Sequence, residues 1–297
     1  MTFEELSELV DVFISFGVKK VRLTGGEPLL RRNLDEFIQM LALKQLDDLA
    51  MTTNGMFLPE HSQKLKDAGL KRITVSLDTL QAGRFEQLTG QDSLKKVLDG
   101  IDSAQQAGFE QIKLNCVLMN GFNDDEILDF VEFARARAIK LRFIEYMDVG
   151  GATQWHAQKV CGLSDVLGVL GQAYGSVIEE SHEPNAPARS FRLSNGQTVG
   201  VIASVTAPFC GLCDRARITA DGVFLTCLYS DQGFSLRELL RNGTEQQVVK
   251  KVINNIWSSR TDAGAEERLA LAQEREAIFS LKELRENVHR EMHLRGG

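Results

Sequence analysis

Apolar residues recur every three or four positions in four segments of the first half of the chain, and this spacing predicts four amphipathic helices. The first helix begins with the capping pair Thr2 and Glu5 and ends near Gly17, where a strand follows at once. A glycine also ends a helix and precedes a strand at Gly69 and Gly108. The other three helices begin at residues suited to an N-cap: Asn33, Ser93 and Asn123.

Alternation of apolar and polar residues predicts five strands, at 18–24, about 48–53, 70–78, 109–118 and about 139–146. Strands that alternate with helices form a right-handed parallel sheet, so the predicted fold class is α/β, with a sheet that can curve into a barrel. Because helices must cover the apolar face, the polar face would line a concave and partly cationic interior. That face carries Arg22, Thr52, Lys113 and Arg142. The alternative is a flat sheet with one face in water, as in an α+β protein.

Residues 151–297 are predicted to form a second region of α+β structure. Two dipeptides in it are hairpin signals: Asn195-Gly196 and Asp221-Gly222. The predicted elements are a helix at 163–173, strands at 188–192, 197–204, 216–220 and 223–227, helices at 235–242 and 245–258, and a charged helix in the tail. His289 and His293 lie one turn apart in that tail, where a solvated face is favoured because the glutamate of a zinc-protease motif is missing.

The net charge of −7 argues against a broad nucleic-acid-binding surface, whose affinity rests on many cationic contacts to phosphate. An anionic ligand must therefore be met by a local cluster of Arg and Lys. The hydrophobic content of 43% is ordinary for a globular enzyme, and no apolar run approaches the length of a membrane span. The chain opens on a helix rather than a targeting segment, so we expect a cytoplasmic protein.

Three of the five cysteines lie close together: Cys210, Cys213 and Cys227. Without a secretory signal, thiolates at this spacing hold a metal more often than they form a disulfide. Structural zinc takes four protein ligands, whereas an iron–sulfur cluster held by three thiolates keeps one iron open for an external ligand. Spacing alone leaves both metals open. Cys116 and Cys161 stand alone and are expected to be small buried residues.

The predicted first strand runs into Gly25-Gly26-Glu27-Pro28. Two glycines at the carboxyl end of a strand let the backbone approach a ligand, and their N–H groups can meet a carboxylate. Glu27 can accept a hydrogen bond from an amine. The same tetrapeptide is also an ordinary turn between a strand and a helix, and local sequence favours that interpretation.

Together, several motifs resemble those of the GTP 3′,8-cyclase family, the radical S-adenosylmethionine enzymes that open molybdenum cofactor biosynthesis. They are Leu23-Thr24-Gly25-Gly26-Glu27-Pro28, Thr52-Thr53-Asn54-Gly55, Val75-Ser76-Leu77-Asp78, Arg142-Phe143-Ile144-Glu145-Tyr146-Met147-Asp148, the three spaced cysteines and the terminal Gly296-Gly297. The resemblance covers essentially the whole chain. Its most specific part is the cysteine spacing joined to Arg215-Ala216-Arg217, because Gly-Gly-Glu-Pro is shared by many radical enzymes.

The resemblance implies a partial (β/α)6 barrel over residues 1–150, lacking its first strand, and a C-terminal region over 151–297 that carries a 4Fe–4S cluster and residues that bind GTP. The implied reaction, driven by a 5′-deoxyadenosyl radical, converts GTP to (8S)-3′,8-cyclo-7,8-dihydroguanosine 5′-triphosphate. The implied contacts are Gly26, Glu27, Ser76 and Met147 for S-adenosylmethionine, Arg22, Thr52, Lys113, Arg215, Ala216 and Arg217 for GTP, and Cys210, Cys213 and Cys227 for the cluster. Arg142 would line the same cavity, and the tail glycines Gly296 and Gly297 would reach the active site.

One feature departs from that family. Its members carry Cys-x3-Cys-x2-Cys for the cluster that cleaves S-adenosylmethionine, and these 297 residues contain no such motif. The sequence would then be a fragment, begin at a start site placed too far downstream, or have lost its radical chemistry. One cluster is expected in this chain and a second in the full-length family. A different radical enzyme with an auxiliary cluster, or an inert nucleotide- or zinc-binding module, are the alternatives. The electron donor is undefined, while a homodimer or a contact with the next enzyme of the pathway is compatible with the sequence.

Overall fold

The computed structural model describes residues 1–150, 155–181, 185–230, 232–271 and 282, and its centre is a sheet of eight strands. The strands of this sheet are β1 (Lys20–Leu23), β2 (Asp48–Thr53), β3 (Arg72–Ser76), β4 (Ile112–Leu118), β5 (Lys140–Glu145), β6 (Val177–Glu180), β7 (Arg189–Leu193) and β8 (Thr198–Ile202). A smaller sheet contains β9 (Arg217–Ile218), β10 (Val223–Leu225) and β11 (Phe234–Ser235). The helices are α1 (Phe3–Ser15), α2 (Leu34–Ala42), α3 (Leu58–Asp67), α4 (Ala82–Thr89), α5 (Leu94–Gln106), α6 (Ile127–Ala136), α7 (Leu163–Tyr174), α8 (Leu236–Arg241), α9 (Gln246–Ser258) and α10 (Gly264–Ala270).

Strands β1 to β5 pair in parallel and in chain order, with helices between them, which confirms the predicted α/β class with a large parallel sheet. The period-two pattern also sorts as predicted, because Thr74 lies beside Lys113 and Asn115 beside Arg142 on one face. The opposite face is apolar and buried against the helices: Ile73, Val75, Leu114, Leu141 and Phe143. Polar and cationic residues therefore occupy one face of a sheet whose other face is the core.

The parallel part of the sheet is larger than the sequence predicted. The hairpin at Asn195-Gly196 is present, as β7 and β8 pair antiparallel, but β8 also pairs in parallel with β5 through Leu141 and Val199. The hairpin prediction is therefore confirmed, and β8 is in addition the sixth parallel member of the main sheet. Curvature into a partial barrel and a division of the chain at residue 150 stay predictions.

The first helix joins the two parts of the chain. Leu9 and Val12 of α1 are fully buried in an apolar cluster with Phe224, Leu236 and Ile253. The predicted cap of α1 is confirmed, since the Glu5 N–H donates to Thr2 Oγ1 at 3.2 Å and the Thr2 N–H donates to Glu5 Oε2 at 2.8 Å. Burial of Leu9 and Val12 thus depends on residues more than two hundred positions away, whereas Phe3 of the same helix stacks on Phe37 of α2. Within the described residues, every helix is too short or too polar to cross a bilayer.

Candidate active site

The polar face of the parallel sheet gathers four cationic side chains from four strands: Arg22 on β1, Arg72 on β3, Lys113 on β4 and Arg142 on β5. We call these four residues the cationic cluster. Arg72 lies in register with Ala50, which in turn pairs with Arg22, and Arg142 pairs with Asn115 on the strand that carries Lys113. The sequence therefore brings like charges together by strand register alone.

Crowding and mutual repulsion perturb the pKa values of the cationic cluster. Burial lowers the pKa of Lys113 to about 7, and the charges of Arg142, Arg72 and Arg22 add to the effect. Burial, with Arg22 and Arg72 next, lowers the pKa of Arg142 to about 10. Arg22 is accessible to water but stands among many protein atoms, so partial desolvation and then Arg72 lower its pKa too. Repulsion among clustered cations of this kind is relieved by a bound polyanion.

Two further arginines approach the cationic cluster from the C-terminal region. The charges of Arg215 and Arg217 both lower the pKa of Arg22, which places them near it. The Arg215 guanidinium donates to the backbone oxygen of Asn185 and to Cys213 Sγ at 3.7 Å, and stands 5.3 Å from the ring centre of Phe209. Arg215 is therefore held between the cationic cluster and the cysteines, while Ala216 is exposed beside it.

The counter-charge to the cationic cluster includes Asp48 at the start of β2. The Arg72 guanidinium binds both carboxylate oxygens of Asp48, with Nε to Oδ1 at 3.1 Å. Neither Arg72 nor Asp48 was singled out from the sequence. The signal for Arg72 was available, since it stands two positions before Thr74 and so shares the polar face with it.

Two buried polar atoms on this face have no hydrogen-bond partner among the described residues: Thr52 Oγ1 and Asn115 Oδ1. Thr52 pairs with Thr74 across the sheet, and Asn115 lies between Ser76 and Arg142. A buried polar atom without a partner costs free energy that a ligand or an ordered water can recover. The two atoms therefore mark the same face as a place where a polar ligand fits.

The loop after β1 is fastened to the loop after β2 by Glu27. Its carboxylate accepts from Thr53 Oγ1 at 2.7 Å, from the Asn54 N–H at 2.8 Å and from the Leu29 N–H at 3.1 Å. These contacts order the Gly-Gly-Glu-Pro loop without a ligand, and they leave Gly26 exposed at its tip. Its carboxylate thus serves three protein donors, and the role of Glu27 beside an amino group stays a prediction.

Ser76 and Met147, the other two predicted contacts for S-adenosylmethionine, follow the same edge of the sheet. Ser76 ends β3 and is exposed, and Met147 stands two residues beyond β5 and is half-buried. Carboxyl ends of parallel strands meet at one edge, where α/β proteins bind ligands. Gly296 and Gly297 lie outside the described residues, as do His289 and His293.

The three clustered cysteines lie in the segment around β9 and β10. Each is partly exposed, whereas Cys116 and Cys161 are buried, as expected of lone cysteines. Among the described residues, no three His, Cys, Asp or Glu side chains stand close enough together to hold one metal ion. A cluster takes one thiolate on each of several irons, so its ligands stand farther apart than those of a single ion.

The cysteine surroundings suit thiolate ligands. The Tyr229 N–H donates to Cys227 Sγ at 3.4 Å, and Arg215 contacts Cys213 Sγ. Burial raises the pKa of Cys210, while the backbone N–H groups of Glu266 and Ala265 oppose that rise by donating to its sulfur. Each sulfur thus has a donor that would stabilise negative charge, and hydrogen bonds of this kind surround iron–sulfur ligands in proteins.

Comparison with known proteins gives the class first. Residues 1–134 match the model of the Radical SAM superfamily, and residues 139–265 match the family described as Molybdenum Cofactor Synthesis C. The fold resembles Streptococcus suis SuiB bound to S-adenosylmethionine, with a TM-score of 0.62 at 14% identity over 99% of this chain and 68% of that one. Fold and sequence together define a radical S-adenosylmethionine enzyme, a class that uses that cofactor with a 4Fe–4S cluster.

Curated relatives then define the family. GTP 3′,8-cyclase 3 of Mycobacterium bovis is 46% identical over all of this chain and 80% of its own length, and GTP 3′,8-cyclase 1 of Mycobacterium tuberculosis is 47% identical over all of this chain and 84% of its own. GTP 3′,8-cyclase of Aquifex aeolicus is 41% identical over 93% of this chain and 84% of its own. The chain belongs to the GTP 3′,8-cyclase family.

Proposed function

We propose that the polar face of the sheet binds GTP and that the protein catalyses its 3′,8-cyclisation, the first step of molybdenum cofactor biosynthesis. The observation that carries this proposal is the cationic cluster. Four side chains that repel one another, with lowered pKa values at Arg22, Lys113 and Arg142, form a site that a triphosphate would stabilise. In a protein with a net charge of −7, such a cluster is a local feature built for an anion.

The nucleotide would extend from the cationic cluster toward the cysteines. Arg215 lies between the two, and Arg217 is near Arg22, so both can bind the nucleotide. Thr52 Oγ1, which has no partner among the described residues, would contribute a hydroxyl on the same face. Cys210, Cys213 and Cys227 would hold a 4Fe–4S cluster with one iron open, which supplies a Lewis-acidic position for the base. This chain's part is to hold ribose and base in one orientation.

S-adenosylmethionine would occupy the edge of the sheet formed by the loops after β1, β3 and β5. Gly26, Ser76 and Met147 present backbone and side-chain atoms there, and Glu27 keeps the first loop in place. The cluster that cleaves this cofactor needs three thiolates beside it. Apart from the three clustered cysteines, these 297 residues contain only Cys116 and Cys161, both buried, and two thiolates are too few for that second cluster.

Arg142 would face the reacting ribose. Within the cationic cluster, Arg142 is in register with Ser76 through Asn115, which sets it toward the proposed cofactor edge. Because a guanidinium keeps its charge at neutral pH even with a pKa of about 10, Arg142 would orient oxygen atoms rather than act as a base. The tail glycines Gly296 and Gly297 would complete the site, since glycine fits where a side chain would not.

The test is calorimetric titration of the anaerobically reconstituted chain with GTP, ATP and guanosine. GTP should bind tightest, because only GTP offers both the triphosphate and the base. Arg142→Ala should weaken binding by ~1.5–3 kcal/mol, the value of a charge-assisted hydrogen bond. Arg192→Ala, which removes an exposed arginine that pairs with Glu180, is the matched control and should bind normally. Equal affinity for GTP and ATP, or equal losses in both variants, would contradict the proposal.

Iron analysis tests whether the three clustered cysteines hold an iron–sulfur cluster. The chain should bind one cluster, and Cys213→Ser should abolish it, because two thiolates hold a cluster poorly. Cys161→Ser, which removes a buried lone cysteine, should retain the wild-type iron content. Iron retained in Cys213→Ser would show that the three cysteines are not the ligands.

A further inference from the structure

A buried ion pair ties the end of β5 to the cysteine region. Asp148 follows Met147 directly, is fully buried, and binds Arg268 of α10 through Oδ2, at 2.6 Å from both Nε and a terminal nitrogen. Its other oxygen accepts from the Tyr229 hydroxyl at 3.2 Å. A carboxylate this deep persists only when its partners are well placed, so the contacts define the positions of both partners.

Tyr229, one of the two partners of Asp148, also contacts Cys227. Tyr229 stands two residues beyond this cysteine, and its backbone N–H donates to the sulfur at 3.4 Å. Its side chain is clamped on the other side by Gly264, where an added Cβ would lie 2.4 Å from the Tyr229 Cβ. The hydroxyl bond to Asp148 and the close approach of Gly264 together fix the segment that carries the donor.

Arg268, the other partner of Asp148, belongs to the helix that contacts Cys210. Arg268 lies on α10, and the first turn of this helix supplies the N–H groups of Ala265 and Glu266 that donate to the Cys210 sulfur. The Glu266 carboxylate also accepts from the Gly211 N–H at 3.3 Å, beside the same cysteine. A single carboxylate thus holds two elements that each present donors to a different cysteine.

We propose that Asp148 is a positioning residue of the cysteine site. Through Tyr229 and Arg268, it sets the N–H donors that face Cys227 and Cys210, and thereby sets the reduction potential and the retention of the cluster. N–H groups that donate to cluster sulfurs stabilise the reduced form and raise its potential. This inference rests on the proposed function, because it takes the cysteines as cluster ligands.

The experiment uses the anaerobically reconstituted 297-residue chain, with the midpoint potential read from EPR-monitored redox titration and iron loss read with a ferrous chelator. Asp148→Asn should speed iron loss by about 10–100-fold, the usual effect of losing a residue that orients metal ligands. The Arg268 charge that this variant deprives of its carboxylate would itself raise the midpoint, so the potential is read from two variants that leave no uncompensated charge. Tyr229→Phe, which removes only the hydroxyl, should shift the midpoint to a more negative value. The double variant Asp148→Asn with Arg268→Gln lacks both contacts and should shift the midpoint further in the same direction.

Glu126→Gln is the matched control, since this carboxylate is equally buried and also binds an arginine, Arg84, but stands at the start of α6. It should leave potential and iron loss unchanged. If Asp148→Asn does not fold, Tyr229→Phe and the double variant decide. Wild-type values in those variants, or an equal shift in Glu126→Gln, overturn the proposal. A wild-type chain that takes up no cluster overturns the proposed function itself, together with this inference.

Discussion

GTP binding should be coupled to the uptake of a proton by Lys113. In the ligand-free protein this side chain is 8% exposed, and burial with three neighbouring guanidinium groups lowers its pKa from 10.5 to about 7. A bound triphosphate favours the charged ammonium and so raises that pKa again. Complete recovery of the ordinary value would couple the two events by about 5 kcal/mol, an upper limit taken from ~1.36 kcal/mol for each unit of pKa.

Because GTP binding raises the pKa of Lys113, the affinity for GTP should depend on pH between the two pKa values. Above pH 7 the free protein carries a neutral Lys113, while the complex carries a charged one until the higher pKa is reached. The affinity should therefore fall as pH rises, by roughly tenfold per pH unit between pH 7.5 and 9. The phosphates of GTP contribute little there, because a terminal phosphate of pKa about 6 is already ionised.

Calorimetry in buffers of different ionisation enthalpy measures the proton directly. The wild-type chain should take up close to one proton at pH 8.5, and Lys113→Met should take up none and lose the pH slope. Lys140→Met removes an equal charge from the neighbouring position in register, where the side chain is exposed, and should keep both. If Lys113→Met takes up as many protons as the wild type, Lys113 is not the group that GTP titrates.

Three other predictions concern the same site and its surroundings. Lys113→Met should raise the Tm of the chain at pH 7 by several degrees, and a Tm equal to wild type would contradict this. The pKa of Lys113 is lower in the folded chain than in the unfolded chain, so this side chain destabilises the folded state at pH 7, and the cost disappears only as pH rises from 7 toward 10.5. Arg217→Ala should weaken GTP binding by ~1.5–3 kcal/mol in a calorimetric titration with iron content unchanged, and normal affinity would place Arg217 outside the site. The 297-residue chain alone should form no 5′-deoxyadenosine under reducing conditions, as measured by mass spectrometry. Cleavage of S-adenosylmethionine should appear once a cyclase-type cluster segment is joined before Met1. In that extended chain, deletion of Gly296 and Gly297 should stop formation of the cyclised GTP product but not cleavage of S-adenosylmethionine. Repeated turnover by the unextended chain, or full product yield after the deletion, would contradict the respective expectation.

Local signals predicted most of the elements. The strand at 48–53 matches β2 residue for residue, and both hairpin signals fall between antiparallel strands. The predicted helix caps agreed less well with the structure. Asn33 precedes α2 with a left-handed backbone, and its side chain makes no capping hydrogen bond. Asn123 instead turns inward, where its amide donates to the backbone oxygens of Asp78 and Val117. An asparagine can satisfy either role, and only the tertiary structure decides between them.

Part of the site was predictable from strand parity, the rule that every second residue of a strand lies on the same face of the sheet. Parity placed Arg22, Lys113 and Arg142 on one face, and the same rule applied to the first residue of β3 would have added Arg72. Parity could not place β8 beside β5, because strand order depends on partners far apart in the chain. Nor could it find Asp148, whose partner in the ion pair lies 120 positions away.

The position of α1 has a consequence for how the protein is made. Its buried residues Leu9 and Val12 are covered by Phe224, Leu236 and Ile253. At ~5–20 residues per second, the last of these leaves the ribosome roughly 12–50 s after Val12, since about 240 residues separate them. During that interval Leu9 and Val12 lack part of their native cover, although Phe3 on the same helix can already stack on Phe37 of α2. Synthesis of this protein is thus a stage at which these two apolar side chains are open to a chaperone or to aggregation.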